Sequence, residues 1–330
     1  MTKPIIAFIT GGYSGEAVIS YESAKTIEAN LDRELYDVYK IDIRSDGWWY
    51  EDPQGSKTLV DKNDFSIVAG NKKICFDAAL IGVHGTPGED GKLQGYFDML
   101  HIPYTSCDAA TSALTFNKRY TVAVAAFAGI NVARSVLLIK DRFSNADEVV
   151  ENLSFPVFVK PNNGGSSIGM SRVNALSDEL GVAIEKAFNE DDQVLVEEFI
   201  SGSEFTIGVF RSKGAIVTLP ITEIKSRKEF FDYEAKYEGM SEEITPAQVD
   251  EAIAEKVRAT AKRIYEVFNC RGIVRIDFIY NEAAGVPYML EVNTVPGQSA
   301  ASIVPQQLRA MGWTMKEFYS ALIDETLYNL

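Results

Sequence analysis

Short apolar runs alternate with segments of helical periodicity near the N-terminus. Ile5–Ile9 and Ala79–Val83 are apolar and run into glycine-containing loops, which is typical of buried parallel strands. A helix over Ser20–Leu31 and a second strand over Tyr36–Ile43 are predicted between them. This βαβ alternation predicts an open α/β domain over residues 1–106, with ligands at the carboxyl ends of its strands.

The pattern changes after Cys107 to helices followed by antiparallel strands. A strand ending at Lys160 precedes a glycine- and serine-rich loop, and the strand "VLVEEFI" follows after a helix. An amphipathic helix is predicted over Pro246–Phe268, with Ile253, Val257, Ala261 and Ile264 at helical spacing. We therefore expect a central unit over 107–196 and a C-terminal unit over 197–330.

A long polar stretch over Glu223–Glu243 lacks clear periodicity. A loop of that length in a compact domain is an active-site lid or a disordered insert.

The segments "GIVRIDFIY" and "VPYMLEVN" form a predicted hairpin near the C-terminus. Because strand side chains alternate between faces, Arg275 and Asp277 share one face of the first strand. In the same way, Glu291 and Asn293 share one face of the second strand. Either pair alone is most simply a surface ion pair on a solvated face. If the two polar faces coincide, their oxygen atoms suit Mg²⁺, and the adjoining "VPG" loop favours that interpretation.

The glycine loop "VKPNNGGSSIG" allows two interpretations. Lys160 and the flexible backbone suit phosphate, whereas Gly165–Gly169 fits the G-x-S-x-G pattern of a hydrolase. A hydrolase of that type needs a histidine after the serine, but His84 and His101 both precede it, and "MSRV" is typical of a strand. The loop is therefore interpreted as a phosphate clamp. Acidic residues around "VEEFISGSE" indicate a ribose contact or, more simply, a charged edge strand.

Composition and charge narrow the classes of partner. The 330 residues carry a net charge of −15, which disfavours nucleic acid and anionic membranes. The three cysteines form no CxxC pair, and the N-terminal apolar run is too short for a signal peptide. We expect a cytoplasmic protein.

Six segments follow one another in the order "HGTPGEDG", "VKPNNGGSSIG", "EEFISGSEFT", "DYEAKY", "RIDF" and "LEVNTVPG". This series resembles the D-alanine–D-alanine ligase family of ATP-grasp enzymes, essentially from end to end. The resemblance implies an α/β (α+β) ATP-grasp fold: an N-terminal substrate domain and two lobes that clasp ATP. It also implies ATP-dependent ligation of two D-alanines through an acyl phosphate, for peptidoglycan precursor synthesis.

Carried over by position, the resemblance implies the nucleotide and metal residues. ATP would contact Lys118, Lys160, Ser166, Ser167, Glu197, Glu198, Ile200, Glu204 and Lys236. Two Mg²⁺ ions, replaceable by Mn²⁺, would bind Asp277, Glu291 and Asn293.

The resemblance also implies the substrate residues. Glu16 would accept the ammonium group of the first D-alanine, and His84 would help to position it. Ser302 and the Ile303 backbone would hold the carboxylate of the second D-alanine.

The catalytic residues implied by the resemblance are Glu16, Ser166, Tyr237, Arg275 and Gly297. Ser166 and Tyr237 would hydrogen-bond with Glu16 when the lid closes. Arg275 and the Gly297 N–H would stabilise the tetrahedral oxyanion. A homodimer is also expected.

The chain departs from the family pattern in three places. Ala17 follows Glu16 where a basic residue is frequent, "ISYESA" differs from the usual helix start, and Gln298–Ala301 is unusual. The last departure lies near the second substrate, so D-lactate and D-serine remain alternatives to D-alanine. A non-catalytic ATP-binding protein of the same fold is the remaining alternative.

Overall fold

The computed structural model describes residues 2–70, 72–143, 146–165, 168–226 and 241–328. Three larger β-sheets and a two-stranded ribbon organise these ranges. No helix within them is long and apolar enough to cross a membrane.

The N-terminal sheet has the strand order β4-β3-β2-β1-β7, with β1 parallel to both β2 and β7. Strand β1, between β2 and β7, is buried almost throughout, as its unbroken apolar run predicts. The elements of this part are β1 (Ile5–Gly11), α1 (Ala17–Asn30), β2 (Asp37–Arg44), β3 (Gly47–Glu51), β4 (Lys57–Leu59), β5 (Ile67–Ala69), β6 (Lys72–Ile74), β7 (Ala78–Ile81) and α2 (Lys92–Leu100). The open α/β prediction is confirmed, although β3 to β6 were not predicted.

Gly11 ends β1 with a φ of +92°. A Cβ atom there would collide with the Ile43 carbonyl oxygen, so only glycine fits. This turn brings the following residues to the start of α1, which places Glu16 at the carboxyl edge of the sheet.

The central sheet is antiparallel, in the order β10-β9-β11-β8. The elements are α3 (Ala109–Phe116), α4 (Lys118–Phe127), β8 (Ser135–Ile139), a 3₁₀ turn (Lys140–Arg142), α5 (Asp147–Asn152), β9 (Val157–Pro161), β10 (Ser171–Val173), α6 (Asp178–Phe188) and β11 (Gln193–Glu198). The segment after the glycine loop is a strand, which removes the helix that a hydrolase elbow requires.

The C-terminal sheet has the order β15-β14-β12-β16-β17, and β13 also pairs with β12. Its elements and the final helices are β12 (Ser203–Ser212), β13 (Ala215–Thr218), β14 (Thr222–Ser226), β15 (Ser241–Ile244), α7 (Glu251–Val267), β16 (Val274–Asn281), β17 (Val286–Asn293), α8 (Ile303–Met311) and α9 (Met315–Tyr328). The predicted polar stretch thus begins and ends in paired strands, and residues 227–240 lie outside the described residues.

The amphipathic helix begins at Glu251, five residues later than predicted from Pro246. The Ala247 N–H donates to the Ile221 carbonyl at 2.8 Å, which ties the preceding segment to the C-terminal sheet. The apolar stripe of this helix, which includes Val257, Ala261 and Ile264, is buried in the core that packs against the C-terminal sheet.

The two ends of the chain share one hydrophobic core. Ile6, Phe8 and Leu80 of the N-terminal sheet belong to the same cluster as Phe318 and Leu322 of α9. Polar contacts between the ends add to it, because the Tyr36 hydroxyl donates to Asp324 Oδ1 at 2.6 Å. The division at 1–106, 107–196 and 197–330 stays a prediction.

Ile264 is fully buried on the apolar stripe of α7. We expect Ile264→Ala to lower the free energy of unfolding by about 2–5 kcal/mol, because it leaves a cavity in the core. Lys262→Ala, on the exposed face of the same helix, should change it by less than about 0.5 kcal/mol. Urea denaturation of the two variants measures both effects, and equal shifts would contradict the assigned helix face.

Candidate active site

One cavity of about 620 Å³ lies where the N-terminal and C-terminal sheets meet. It brings together residues from "GGYSGE", "HGTPGEDG", the glycine loop and the β16–β17 hairpin. The predicted site residues that line it are Glu16, His84, Lys118, Glu204, Arg275, Asp277, Glu291, Asn293, Gly297, Ser302 and Ile303.

Glu16 lies between two glycine loops at the start of α1. A Cβ on Gly85 would collide with its carboxylate, and one on Gly165 would lie 2.8 Å from Oε1. Burial raises the pKa of Glu16, while the Ser14 hydroxyl and the Lys118 charge oppose that shift. A side chain at either glycine would therefore displace the Glu16 carboxylate.

The glycine loop is held by the start of α4. Lys118 Nζ donates to the Gly164 carbonyl at 2.6 Å, and the Lys118 N–H donates to the Asn162 carbonyl at 3.0 Å. The described part of the loop therefore has a cation at its base, where phosphate oxygens would need one.

His84 is buried near the start of the loop that follows β7. Its backbone N–H donates to Ser20 Oγ at 2.9 Å, and its ring Nε2 lies 2.9 Å from Ser23 Oγ. Burial lowers the pKa of His84 to about 4, the Val295 backbone opposes this as a hydrogen-bond partner, and Arg275 adds to the lowering. The imidazole is consequently neutral at physiological pH.

Glu89 joins two loops that line the cavity. Its Oε2 accepts the Gly85 N–H at 2.7 Å, and its Oε1 accepts the Val295 N–H at 3.2 Å. Burial raises the pKa of Glu89 to about 8; the Gly85 N–H opposes the shift and the Glu16 carboxylate adds to it. Both carboxyl groups line the cavity, and the charge of Glu16 contributes to the raised pKa of Glu89.

The polar faces of β16 and β17 coincide, as the hairpin prediction required. Arg275 is paired with Asn293 and Asp277 with Glu291 in the strand register. Arg275 Nε and Nη2 donate to Asp277 at 2.9 and 2.8 Å, and Asn293 Nδ2 donates to Asp277 Oδ2 at 3.1 Å. Thr206 Oγ1 also donates to Asp277 Oδ1 at 2.5 Å.

This donor set fits a hard divalent cation in part. Asp277 and Glu291 supply carboxylate oxygens and Asn293 an amide oxygen, which are ligand types that Mg²⁺ uses. The described residues contain no group of three or more histidine, cysteine, aspartate or glutamate side chains suited to a metal. Further ligands would therefore come from phosphate and water, which is the usual arrangement for Mg²⁺ with a nucleotide.

The opposite wall of the cavity is the start of α8. Ser302 precedes the helix, its Oγ lies 2.8 Å from Ser299 Oγ, and Ile303 is the first helical residue. Unpaired N–H groups and the positive end of the helix dipole make such a terminus suitable for a carboxylate. Gly297 approaches closely, since a Cβ there would lie 2.9 Å from Ser302 Oγ.

Four predicted nucleotide residues lie away from the cavity lining, on the paired strands β9 and β11 and in the connection that follows β11. Lys160 Nζ and Glu197 Oε2 form a largely buried ion pair at 2.5 Å. Glu198 Oε1 accepts the Ser154 N–H at 2.7 Å, and Ile200 follows β11 in the connection to β12. The two glutamate side chains already have partners, so adenine would be read here through backbone groups.

Four other predicted residues lie outside the described residues. They are Ser166, Ser167, Lys236 and Tyr237. Their roles stay predictions.

Comparison with known proteins identifies the family. Models of the D-ala D-ala ligase N-terminus and C-terminus match residues 5–107 and 124–324. The D-alanine–D-alanine ligase of Phocaeicola vulgatus is 45% identical over 322 residues, covering 98% of this chain and 99% of that protein. The chain belongs to the D-alanine–D-alanine ligase family. The enzyme of that name from Flavobacterium johnsoniae is 44% identical over the same share of each chain.

Solved structures of family members have the same fold. The D-Ala:D-Ser ligase from Enterococcus faecalis superposes with a TM-score of 0.88 at 30% identity, covering 99% of this chain and 100% of that one. The Bacillus anthracis D-alanine–D-alanine ligase complexed with ATP gives a TM-score of 0.78 at 29% identity, with 98% and 97% covered. The predicted ATP-grasp fold is confirmed.

Sequence reasoning did not identify Glu89 or Ser23 as residues of the site. Glu89 lies inside the quoted "HGTPGEDG" segment, and Ser23 lies in "ISYESA", which was noted only as a departure from the family pattern. The only sequence signal for either residue was therefore its place in one of these quoted segments. Their partners are the distant residues Val295 and Gln298, which no local pattern indicates.

The buried, neutral His84 predicts a specific dependence of stability on pH. Its folded pKa of about 4 lies below its ordinary value of 6.5, so the unfolded chain binds the proton first. The stabilisation from this histidine is complete above pH 6.5 and is lost as the pH falls toward 4, by up to roughly 3 kcal/mol.

Urea denaturation between pH 4 and pH 7 measures this contribution as a slope. His84→Asn should have a shallower slope than the wild type. His101→Asn, at an exposed position with φ +55° that asparagine tolerates, should retain the wild-type slope. Equal slopes for all three proteins would show that His84 titrates normally.

Proposed function

We propose that this protein joins two D-alanine molecules to D-alanyl-D-alanine at the expense of ATP, for peptidoglycan precursor synthesis. The observation that carries the proposal is that groups suited to a phosphate, a divalent cation, an ammonium and a carboxylate line one cavity. Membership of the D-alanine–D-alanine ligase family, with relatives above 40% identity along nearly the whole chain, supports the same reaction.

In the first step, a carboxylate oxygen of the first D-alanine attacks the γ-phosphorus of ATP. The bond to the bridging oxygen breaks, so that ADP leaves and an acyl phosphate remains. Glu16, at the start of α1, binds the ammonium group and directs the carboxylate toward the nucleotide. Arg275 and Lys118 place positive charge near the transferred group, which is the main requirement of phosphoryl transfer.

Asp277, Glu291 and Asn293 would hold Mg²⁺ in this step. When bound, the cation neutralises charge on the phosphate oxygens. Arg275 already contacts Asp277 and lies 4.0 Å from Glu291, so one guanidinium group orders both carboxylates. Lys160, Glu197, Glu198, Ile200 and Glu204 complete the proposed nucleotide site.

In the second step, the amine of the second D-alanine attacks the acyl carbonyl. The amine loses a proton, the tetrahedral oxyanion collapses, and inorganic phosphate leaves. The start of α8 at Ser302 and Ile303 binds the incoming carboxylate, while Arg275 and the Gly297 N–H face the oxyanion. Ser166, Lys236 and Tyr237 are proposed to close the site from the lid.

The unusual Gln298–Ala301 segment bears on the second substrate. Ser299 and Ala301 line the cavity, whereas Gln298 is buried behind the loop and is absent from the lining. Of the two unusual residues, Gln298 therefore does not face the second substrate directly, whereas Ala301 lines the cavity. The Lys236–Tyr237 pair, which resembles that of the dipeptide-forming members, supports D-alanine, with D-serine and D-lactate as the alternatives to test.

The proposal includes a homodimer that acts in the cytoplasm on free ATP and D-alanine. The N-terminal domain is its proposed contact.

The reaction is tested with purified protein and Mg-ATP. We expect phosphate release that depends on D-alanine and a product with the mass of D-alanyl-D-alanine. Release that depends instead on D-serine or D-lactate as the second substrate would replace the proposed substrate. No release with any of the three would favour a non-catalytic ATP-binding protein.

Glu16 is expected to serve the amino acid and not the nucleotide. Glu16→Gln should lower kcat/KM for D-alanine by roughly 10- to 100-fold or more, because a charged hydrogen bond is lost, and should leave the Kd of ATP unchanged. Glu28→Gln is the control on the same helix, where the carboxylate pairs with Lys40 on the surface at 2.7 Å. Parallel loss of ATP binding in Glu16→Gln would remove Glu16 from the amino-acid site.

A further inference from the structure

The loop Val295–Gln298 carries a backbone donor in the cavity wall that has no partner among the described residues. Val295 N–H is bound by Glu89, Gln298 N–H is bound by Ser23, and Pro296 has no N–H. Gly297 lines the cavity, and its N–H has no hydrogen-bond partner within the described ranges. Within the described part of the chain, the Gly297 N–H therefore lies unbonded between two anchored positions of the loop.

Ser23 is the centre of the second anchor. It is 1% exposed, and its Oγ contacts the Gln298 N–H at 3.1 Å and His84 Nε2 at 2.9 Å. The Gln298 N–H can only donate, so it takes one lone pair of the serine oxygen. The serine hydroxyl proton is then available for the unprotonated ring nitrogen of His84.

This arrangement fixes the tautomer of the histidine. If Nε2 accepts from Ser23, a neutral imidazole carries its proton on Nδ1. The remaining recorded partner of the ring is the Val295 backbone, and it raises the pKa of His84 as an acceptor does. Because the Val295 N–H is bound by Glu89, we assign the Val295 carbonyl as the acceptor of the Nδ1 proton. The chain of hydrogen bonds thus leaves the loop at Gln298 and returns to it at Val295.

The anchor is itself built on α1. Ser20 and Ser23 are both buried on the same side of this helix, and Ser20 Oγ accepts the His84 backbone N–H at 2.9 Å. Glu16 lies one turn before Ser20, and Ser20 Oγ donates back to the Glu16 carbonyl at 3.4 Å. One rigid helix therefore connects Glu16 with the Gly297 loop.

From this geometry we propose that Ser23 is a positioning residue, which acts through neutral His84 to aim the Gly297 N–H at the reacting carbonyl. The inference rests on the proposed ligase reaction. Its consequence falls on the second step, where the oxyanion develops. ATP binding is separate, because neither Ser23 nor His84 belongs to the proposed nucleotide residues.

Ser23→Ala is expected to lower the kcat of dipeptide formation by about 10- to 100-fold, a fraction of what loss of a whole oxyanion donor costs. The ratio of phosphate released to dipeptide formed should rise above one, since the acyl phosphate is hydrolysed when the second step slows. The KM of ATP should stay unchanged. Ser112→Ala removes another buried serine, which donates to the Cys107 carbonyl at 3.2 Å, and should retain the wild-type ratio.

The tautomer is tested without substrate by ¹⁵N NMR of the two histidines. His101→Asn leaves His84 as the only imidazole signal, which is expected to show a proton on Nδ1 and none on Nε2. In Ser23→Ala this preference should weaken, because Nε2 loses its donor.

A wild-type Nε2–H tautomer would overturn the proposed chain, even if the Ser23 variant does not fold. A folded Ser23→Ala protein with the wild-type kcat and ratio would also overturn it. These outcomes are distinct from failure of the ligase proposal, in which the wild type forms no dipeptide whatever the tautomer of His84.

Discussion

The antiparallel register of β16 and β17 is the constraint on which the site depends. It pairs Arg275 with Asn293 and Asp277 with Glu291, so four polar side chains of the candidate site emerge on one face within two residue pairs. A shift by one residue would turn one strand's set to the opposite face and dissolve the cluster. Strand β17 leads directly into Val295 and Gly297. The register therefore also sets the position of the backbone N–H groups of this loop.

Distant parts of the chain meet at that hairpin because the two ends share a core. The final helix packs on β1 and β7 through Phe318 and Leu322, next to Phe8 and Leu80. This packing holds α1 and the loop after β7 against the C-terminal sheet. Full burial of each such apolar side chain contributes about 1.5–3 kcal/mol to stability.

The candidate site contains several cationic side chains, although the net charge of the whole molecule is negative. The chain has a net charge of −15, yet Lys118 and Arg275 line the cavity and Lys160 lies at the neighbouring strand edge. Facing carboxylates raise the pKa of Arg275 more than burial lowers it, so the guanidinium stays charged. A local set of cations inside an acidic protein can bind an anionic nucleotide without attracting nucleic acid.

Several features of the site were determined by the sequence alone. Strand side chains alternate with a period of two, so the common faces of the hairpin residues follow from their spacing. Glycine readily adopts backbone conformations that other residues rarely adopt, so the sequence alone predicted turns at Gly11 and in the glycine loop. The series of family segments then predicted the ATP-grasp fold and the residues of one cavity.

Only the tertiary structure decided which loops hold one another. Glu89 binds the Val295 N–H across 206 residues of sequence, and Ser23 binds the Gln298 N–H across 275. The hydrogen bond from the Ala247 N–H to the Ile221 carbonyl is likewise a contact between distant segments. It lies just before α7, which begins later than its periodicity predicts. Local pattern encodes side-chain direction and backbone preference, whereas such partners are fixed only when separate elements pack.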